Sequence, residues 1–404
     1  MKFIEGGVTA AQGFTAAGIF CGIRKNKTKP DLAMIYAKTP CAAAAVYTQN
    51  LVKGAPLRVT QKNLSDGKAQ AVLCNSGNAN TCNADGEEKA WKMCEIAAKA
   101  LNIRPQDVIV ASTGVIGQVL PIEPIENAAP ALAKALSRDG SESAARAIMT
   151  TDTKVKNLSV EVFVGGKPVR IGGIAKGSGM IHPNMATMLC FLTTDASILP
   201  EVLNKALHEA VNVSFNMVSV DGDTSTNDMV SIMASGLAGN ETIPADSQEY
   251  NAFTEALTAL CTVLAREVAG DGEGATKLLI SHVTGAKSPE DARLAAKGVI
   301  CSSLFKAAMF GADANWGRVL CAIGYSGAQT DIQAVDVSFA SDAGKIEVCR
   351  NGAGVDFDEG LAKKILTCSE INTEITLHDG DSEATAFGCD LTYDYVKING
   401  DYRT

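Results

Sequence analysis

Apolar and polar positions alternate along this chain with two periods, and both recur from end to end. A period of two marks a strand with one buried face, and a period near 3.6 marks a helix with a buried stripe. Short apolar runs at 71–74, 107–111, 188–192, 229–233 and 278–283 read as buried strands, the second running into a loop at Ser112-Thr113-Gly114. Residues 159–164 alternate and meet 167–171 across Gly165-Gly166, the pattern of a hairpin. Ala90, Cys94, Ala97 and Leu101 fall on one face of a helix over 87–101, and further helices are expected over 200–211 and 252–268. Later strands are expected at 334–339, 345–349, 374–378 and 384–395. Strands and helices interleaved in this way predict an α/β or α+β fold, with layered sheets flanked by helices. At 404 residues the chain exceeds one ordinary core, so two or three packed units are expected. No repeat or Pro/Ser-rich linker marks a boundary between them.

Composition narrows the class. Hydrophobic residues make up 46% and charged residues 20% of the chain, which excludes a disordered protein. A net charge of −9 disfavours nonspecific binding to nucleic acid or anionic membrane, while a local basic pocket can still take a small anion. The opening residues carry Glu5 and no long apolar run, so no secretory signal is expected, and no stretch has the roughly 18 apolar residues of a membrane span. The expected location is cytoplasmic. The twelve cysteines show no CxxC spacing, and the histidines at 182, 208, 282 and 378 are scattered. Clustered ligands are what a zinc site requires, so no metal is expected and the thiols read as buried and reduced.

The most informative stretch is 176–189, where Lys176-Gly177-Ser178-Gly179 and His182-Pro183 lead to Ala186-Thr187 and then to an apolar strand. Glycines open backbone conformations closed to other residues, and Pro183 fixes one backbone angle while biasing His182 toward an extended one. Such a bend can strain the Ala186–Thr187 bond. A strained bond beside a hydroxyl is open to attack by that hydroxyl on the preceding carbonyl, and hydrolysis of the ester then leaves Thr187 as a new N-terminus. A threonine hydroxyl is a weak nucleophile without a base, and a free α-amine, with a pKa of about 7.7–8.0, is a suitable one. One cut therefore creates nucleophile and base on a single residue. The same pattern also suits a plain glycine-rich loop before a strand.

Several blocks together resemble the ornithine acetyltransferase family of arginine biosynthesis, also described as bifunctional glutamate N-acetyltransferases. They are 75–80, 112–117, 176–189, 220–228, 271–277, 310–318 and the terminal 398–404, and they occur in order over essentially the whole chain. The resemblance implies sheets flanked by helices in an N-terminal-nucleophile-like arrangement. It implies self-cleavage between Ala186 and Thr187, giving an α chain of 1–186 and a β chain of 187–404, assembled as two of each. It further implies transfer of acetyl from N-acetylornithine to glutamate through an acetylated Thr187, with no cofactor and with acetyl-CoA as a possible second donor.

Carried over residue by residue, the resemblance makes Thr113 and Gly114 the oxyanion hole. It makes Thr153, Lys176, Thr187, Glu273, Asn399 and Thr404 the substrate-binding positions. The residue types suit the substrates: Lys176 can hold an α-carboxylate, Glu273 an ammonium, and Thr153 and Asn399 neutral groups. Thr404 would require a terminus that is tucked in. Taken singly, Lys176 and Glu273 also fit solvated surface charges, and Thr113-Gly114 a turn. His182 is read as structural, since the amine already supplies a base. Asp221, Asp223 and Asp228 lack the spacing of a calcium loop and read as a folded polar loop near the active site. Met217 stands where many relatives of this kind would carry a basic residue, which bears on substrate preference. The competing reading is a self-cleaving amidohydrolase or aminopeptidase, in which water takes the acyl group and a serine nucleophile is expected.

Overall fold

A computed structural model describes residues 1–24, 26, 28–182 and 188–401. The sequence expectations for Ala186, Thr187 and Thr404 lie outside the described residues. The strands in chain order are β1 (Lys2–Ile4), β2 (Phe14–Ile19), β3 (Leu32–Tyr47), β4 (Lys68–Asn78), β5 (Val108–Val115), β6 (Lys156–Val164), β7 (Lys167–Lys176) and β8 (Leu189–Thr194). They continue as β9 (Val218–Ser219), β10 (Met229–Ala234), β11 (Leu278–Ala286), β12 (Asp336–Ser341), β13 (Gly344–Arg350), β14 (Ala353–Gly354), β15 (Glu370–Thr376) and β16 (Ser382–Cys389).

Among the described residues these strands form two sheets. The first runs β1-β6-β7-β8-β10-β3-β4-β5, with β2 also on β3, and the second runs β14-β13-β12-β15-β11-β16-β9. In the first sheet β8 pairs with β10 in parallel, Leu189 opposite Met229, and the helix Pro200–Val213 makes the crossover between them. β4 and β5 are likewise parallel, bridged by the helix Gly86–Leu101. Strands β8 and β10 follow residue 187, yet they lie between β7 and β3, which precede it. The boundary expected at 186/187 would thus divide the strands of one sheet between two chains.

Both faces of the first sheet are covered, and its sequence shows how. In β3 the run Cys41-Ala42-Ala43-Ala44-Ala45-Val46 sends Ala44 and Val46 into one core and Cys41 and Ala43 into another. Small side chains let helices approach closely from either side. One core holds the helix Gln248–Gly270, which buries Phe253, Leu257, Leu260, Leu264 and Val268 against the first sheet and meets Ile280 and Phe387 of the second. Ser247 starts that helix, its hydroxyl accepting from the Tyr250 N–H. The far face of the second sheet packs on the helices Pro289–Cys301, Ser303–Phe310, Trp316–Tyr325 and Glu359–Thr367. The result is layered sheets flanked by helices.

The hairpin across Gly165-Gly166 has Val164 opposite Lys167. Two expectations change. Ser112-Thr113-Gly114 is strand, not loop, because β4 offers parallel partners, Thr113 pairing with Ser76. The strand expected over 384–395 stops at Cys389, and a helix spans Tyr393–Asp401. Asp390 ends the strand by turning its carboxylate back to accept from the Thr276 and Lys277 N–H groups at 2.8 and 3.0 Å. No described helix is long and apolar enough to cross a membrane.

Candidate active site

The end of β7 and the end of β5 meet at one cavity. It is lined by Thr113, Lys176, Gly179, Met188, Asn227 and Asp228, among others. The Lys176 ammonium donates to the Thr113 hydroxyl at 3.2 Å, and both residues are buried. An ammonium has only donors, so the hydroxyl accepts here and keeps its own hydrogen to give to another acceptor. A charge-assisted bond of this kind polarises the hydroxyl toward donation.

Gly114 follows at φ +133, a conformation that L side chains rarely adopt. A Cβ there would sit 2.4 Å from the Gly77 carbonyl carbon. Only glycine fits, and the close approach brings the β5 backbone against Gly77-Asn78. Asn227 then ties this strand to β10. Its amide donates to the carbonyls of Ala79 at 2.6 Å and Ser112 at 2.9 Å, while the hydroxyls of Thr81 and Thr226 donate to its Oδ1 at 2.6 and 2.5 Å. Sheet order puts β3 and β4 between β10 and β5, so the sheet must curl for that contact. The β3–β4 register breaks between Tyr36 and Cys41.

Behind Lys176 lies a buried charge cluster. The Lys156 ammonium bridges Asp152 at 2.9 Å and Asp271 at 2.6 Å, with all three side chains no more than 2% exposed. Burial alone would push the Asp152 carboxyl up, but Lys176 and Lys156 outweigh it and bring it down to about 2. Asp152 also accepts from the Gly177 N–H at 2.7 Å, and the Asp271 carbonyl accepts from the Ser178 hydroxyl at 2.7 Å. Thr153 donates to Asp271 through its N–H at 3.0 Å and through its hydroxyl. Glu273 donates its N–H to the Ser178 carbonyl at 3.1 Å, and its carboxylate accepts from the Asn399 amide at 2.8 Å. Gly179 packs so near that carboxylate that a Cβ would come within 2.5 Å of it.

The residues singled out in the sequence therefore fall into three groups on one web. Thr113, Gly114 and Lys176 meet at the cavity beside Met188. Glu273 and Asn399 pair with each other against Gly179. Thr153 is exposed and lines a separate depression with Gly274, Asp394 and Lys397.

The loop before the junction is held by Asp221, whose carboxylate accepts from the N–H groups of Met180 at 2.6 Å and Ile181 at 2.8 Å. Met180 sits at φ +58, a left-handed conformation costing a non-glycine residue roughly 1–2 kcal/mol. His182 Nδ1 lies 3.1 Å from the Ser219 hydroxyl and 3.5 Å from the Cys301 sulfur. Burial, reinforced by the Lys297 charge, lowers His182 to about 4, so its ring is neutral at physiological pH.

The family model described as the ArgJ family matches residues 15–404. The chain belongs to the ArgJ family. It is 53% identical over 406 residues to the arginine biosynthesis bifunctional protein ArgJ of Symbiobacterium thermophilum, an alignment that covers 100% of both chains. The ArgJ protein of Bacillus subtilis is 47% identical over 403 residues, covering 99% of this chain and 97% of its own. A crystal structure of ArgJ from Bacillus halodurans superposes with a TM-score of 0.50 at 45% identity, covering 52% of this chain and 98% of that one. Membership of the ArgJ family makes the chain an enzyme, an acyltransferase of arginine biosynthesis.

For an ArgJ-family chain, sequence reasoning passed over Lys156, Asp152, Asp271 and Asn227 as individual residues, and placed Asp221 only in a polar loop. Lys156 is one of a Lys154-Val155-Lys156 pair in which nothing in the spacing distinguishes the buried lysine from its exposed neighbour. Asp271, in the block 271–277, and Asp221, Asn227 and Asp228, in the block 220–228, had a signal, since both blocks carry the family resemblance.

Proposed function

We propose that this enzyme cuts itself between Ala186 and Thr187 and then transfers acetyl from N-acetylornithine to glutamate through an acetyl-Thr187 intermediate. The observation that carries the reading is the polarised Thr113 hydroxyl, held by Lys176 in the cavity that Met188 also lines. Met188 is bonded to Thr187. Attack on an acetyl carbonyl there develops negative charge on oxygen, and a preorganised O–H with a neighbouring ammonium stabilises it. Gly114, with no side chain in the way, adds a backbone donor. Glu273 serves the ammonium of the ornithine head and Lys176 the α-carboxylate, with Thr153, Asn399 and Thr404 completing the binding positions.

In the forward half-reaction the Thr187 oxygen adds to the acetyl carbon and its proton passes to the α-amine of the same residue. Collapse breaks the amide bond, and the proton leaves with ornithine. Glutamate then attacks the ester from the same pocket. No cofactor takes part, because one residue supplies nucleophile and base. Acetyl-CoA is the expected second donor, as the names of the ArgJ relatives call those proteins bifunctional. The Bacillus halodurans chain covers 52% of this one, which supports a two-chain product in length. Two α and two β chains are the proposed assembly.

The test is a single incubation of the enzyme with acetyl-labelled N-acetylornithine and no glutamate. Label should stay on the 187–404 chain at Thr187, and initial rates with both substrates should give parallel, ping-pong lines. Intersecting lines with no trapped acetyl-threonine would establish direct transfer and overturn the intermediate.

A further inference from the structure

Asp228 stands where β10 begins. The N–H of the next residue, Met229, donates to the Met188 carbonyl at 2.9 Å, and the Thr48 N–H donates to the Asp228 carbonyl at 3.0 Å. The backbone is thus pinned on both sides, with Asp228 beside Met188 and one peptide bond beyond Met188 the residue at which the chain is cut. The Asp228 side chain lines the same cavity as Thr113 and Lys176. It is 3% exposed, and its Oδ2 is sealed from solvent and accepts no hydrogen bond. Burial pushes this carboxyl well above the usual range, and a hydrogen bond from Ser225 and the Lys176 charge only partly oppose the rise.

A buried acid kept only for structure is ordinarily hydrogen-bonded at both oxygens, because an unpaired buried polar atom costs about 1–3 kcal/mol. This one is open at one oxygen and lines a cavity with Thr113, Lys176 and Met188, the residue that follows Thr187 in the chain. We propose that Asp228 is the general acid of the self-cleavage step, a catalytic residue that acts before the first turnover. The inference rests on the reading of Thr187 given above.

The step balances without a further reactant. The Thr187 Oγ1 bonds to the Ala186 carbonyl carbon and gives up its hydrogen, the Ala186–Thr187 C–N bond breaks, and the departing nitrogen takes a hydrogen. Asp228 gives its proton to the nitrogen, and its carboxylate receives the proton from the hydroxyl. Water then adds to the ester, freeing the Ala186 carboxylate and restoring the Thr187 hydroxyl.

The experiment follows splitting of the full chain, made by cell-free synthesis, on denaturing gels, with and without hydroxylamine. Hydroxylamine cleaves an ester and leaves an amide intact, so it reports whether the acyl shift has occurred. The unaltered chain should split and Thr187→Ala should not. If the unaltered chain fails to split, the proposed function is wrong and Asp228 is not at issue. Asp228→Asn should fold with a thermal midpoint near that of Thr187→Ala and split about 10²–10⁴-fold more slowly, the usual share of a general acid, with no rescue by hydroxylamine. If that variant does not fold, Asp228→Glu decides: it keeps the acid and displaces it by one methylene, so splitting should slow. Splitting of folded Asp228→Asn at the unaltered rate, or hydroxylamine rescue, overturns the assignment; so does an unaltered rate in Asp228→Glu where only that variant folds.

Discussion

Lys176 and Thr113 come from strands that are not neighbours in the sheet, yet the ammonium of one donates to the hydroxyl of the other at 3.2 Å. The contact fixes which way the hydroxyl hydrogen points. Thr113→Ala should therefore lower kcat by about 10²–10³-fold and leave KM nearly unchanged, since the bond strengthens as the oxyanion forms. Steady-state kinetics on the processed enzyme measure both constants. A rise in KM alone would move Thr113 from transition-state stabilisation to substrate binding.

Gly114→Ala tests the backbone half of the same feature. The substitution places a Cβ 2.4 Å from the Gly77 carbonyl carbon at φ +133. Strain at such a position costs on the order of 1–3 kcal/mol before any overlap is counted. The variant should melt at a lower temperature and lose activity beyond what the stability change explains.

Lys156 is expected to matter for stability rather than chemistry. Lys156→Met leaves Asp152 and Asp271 buried without their shared cation, and breaking such a pair costs roughly 3–5 kcal/mol. Denaturant titration should show the loss, and kcat of the folded fraction should change little. An unchanged unfolding midpoint would mean that solvent reaches the cluster.

Acid should act through two of these groups in separate windows. Asp152 is lowered to about 2, so its stabilisation is present above the unfolded value near 3.8 and is lost as pH falls through about 2. His182 is lowered to about 4 by burial, so the native state resists its protonation, and stability declines from about pH 6.5 down to 4. Unfolding measured from pH 7 to pH 4 should show that His182 component, and His182→Gln should flatten it. A slope unaffected by the substitution would place the titrating group elsewhere.

Much of the fold was legible because its elements carry plain signals. Gly165-Gly166 between two alternating runs gave the hairpin, and the face Ala90-Cys94-Ala97-Leu101 gave the helix Gly86–Leu101. The strand Leu32–Tyr47 was not legible, because Ala42–Ala45 have low strand propensity and no alternation when both faces are buried. The end of β16 was misread because apolar residues past Cys389 continue as the face of a helix. For the site, a lysine, a threonine and a glycine at 176, 113 and 114 carry no shared spacing. Family resemblance named them, and only the curl of the sheet explains their meeting. Asp228 lay inside a recognised block but looked like a polar loop, since burial is not written in residue type.

Because β8 and β10 sit between β7 and β3, the two products of a cut at 186/187 remain strands of one sheet. Folding before the cut is a unimolecular event, with register supplied by a single chain. After it, the same sheet can be rebuilt only when two separate polypeptides meet, so recovery from denaturant becomes second order in protein. The uncut Thr187→Ala chain should refold at a rate independent of dilution, whereas the mature enzyme should lose its yield on dilution. The proposed cut would turn a reversible fold into one that is assembled once and thereafter held by the slowness of its unfolding.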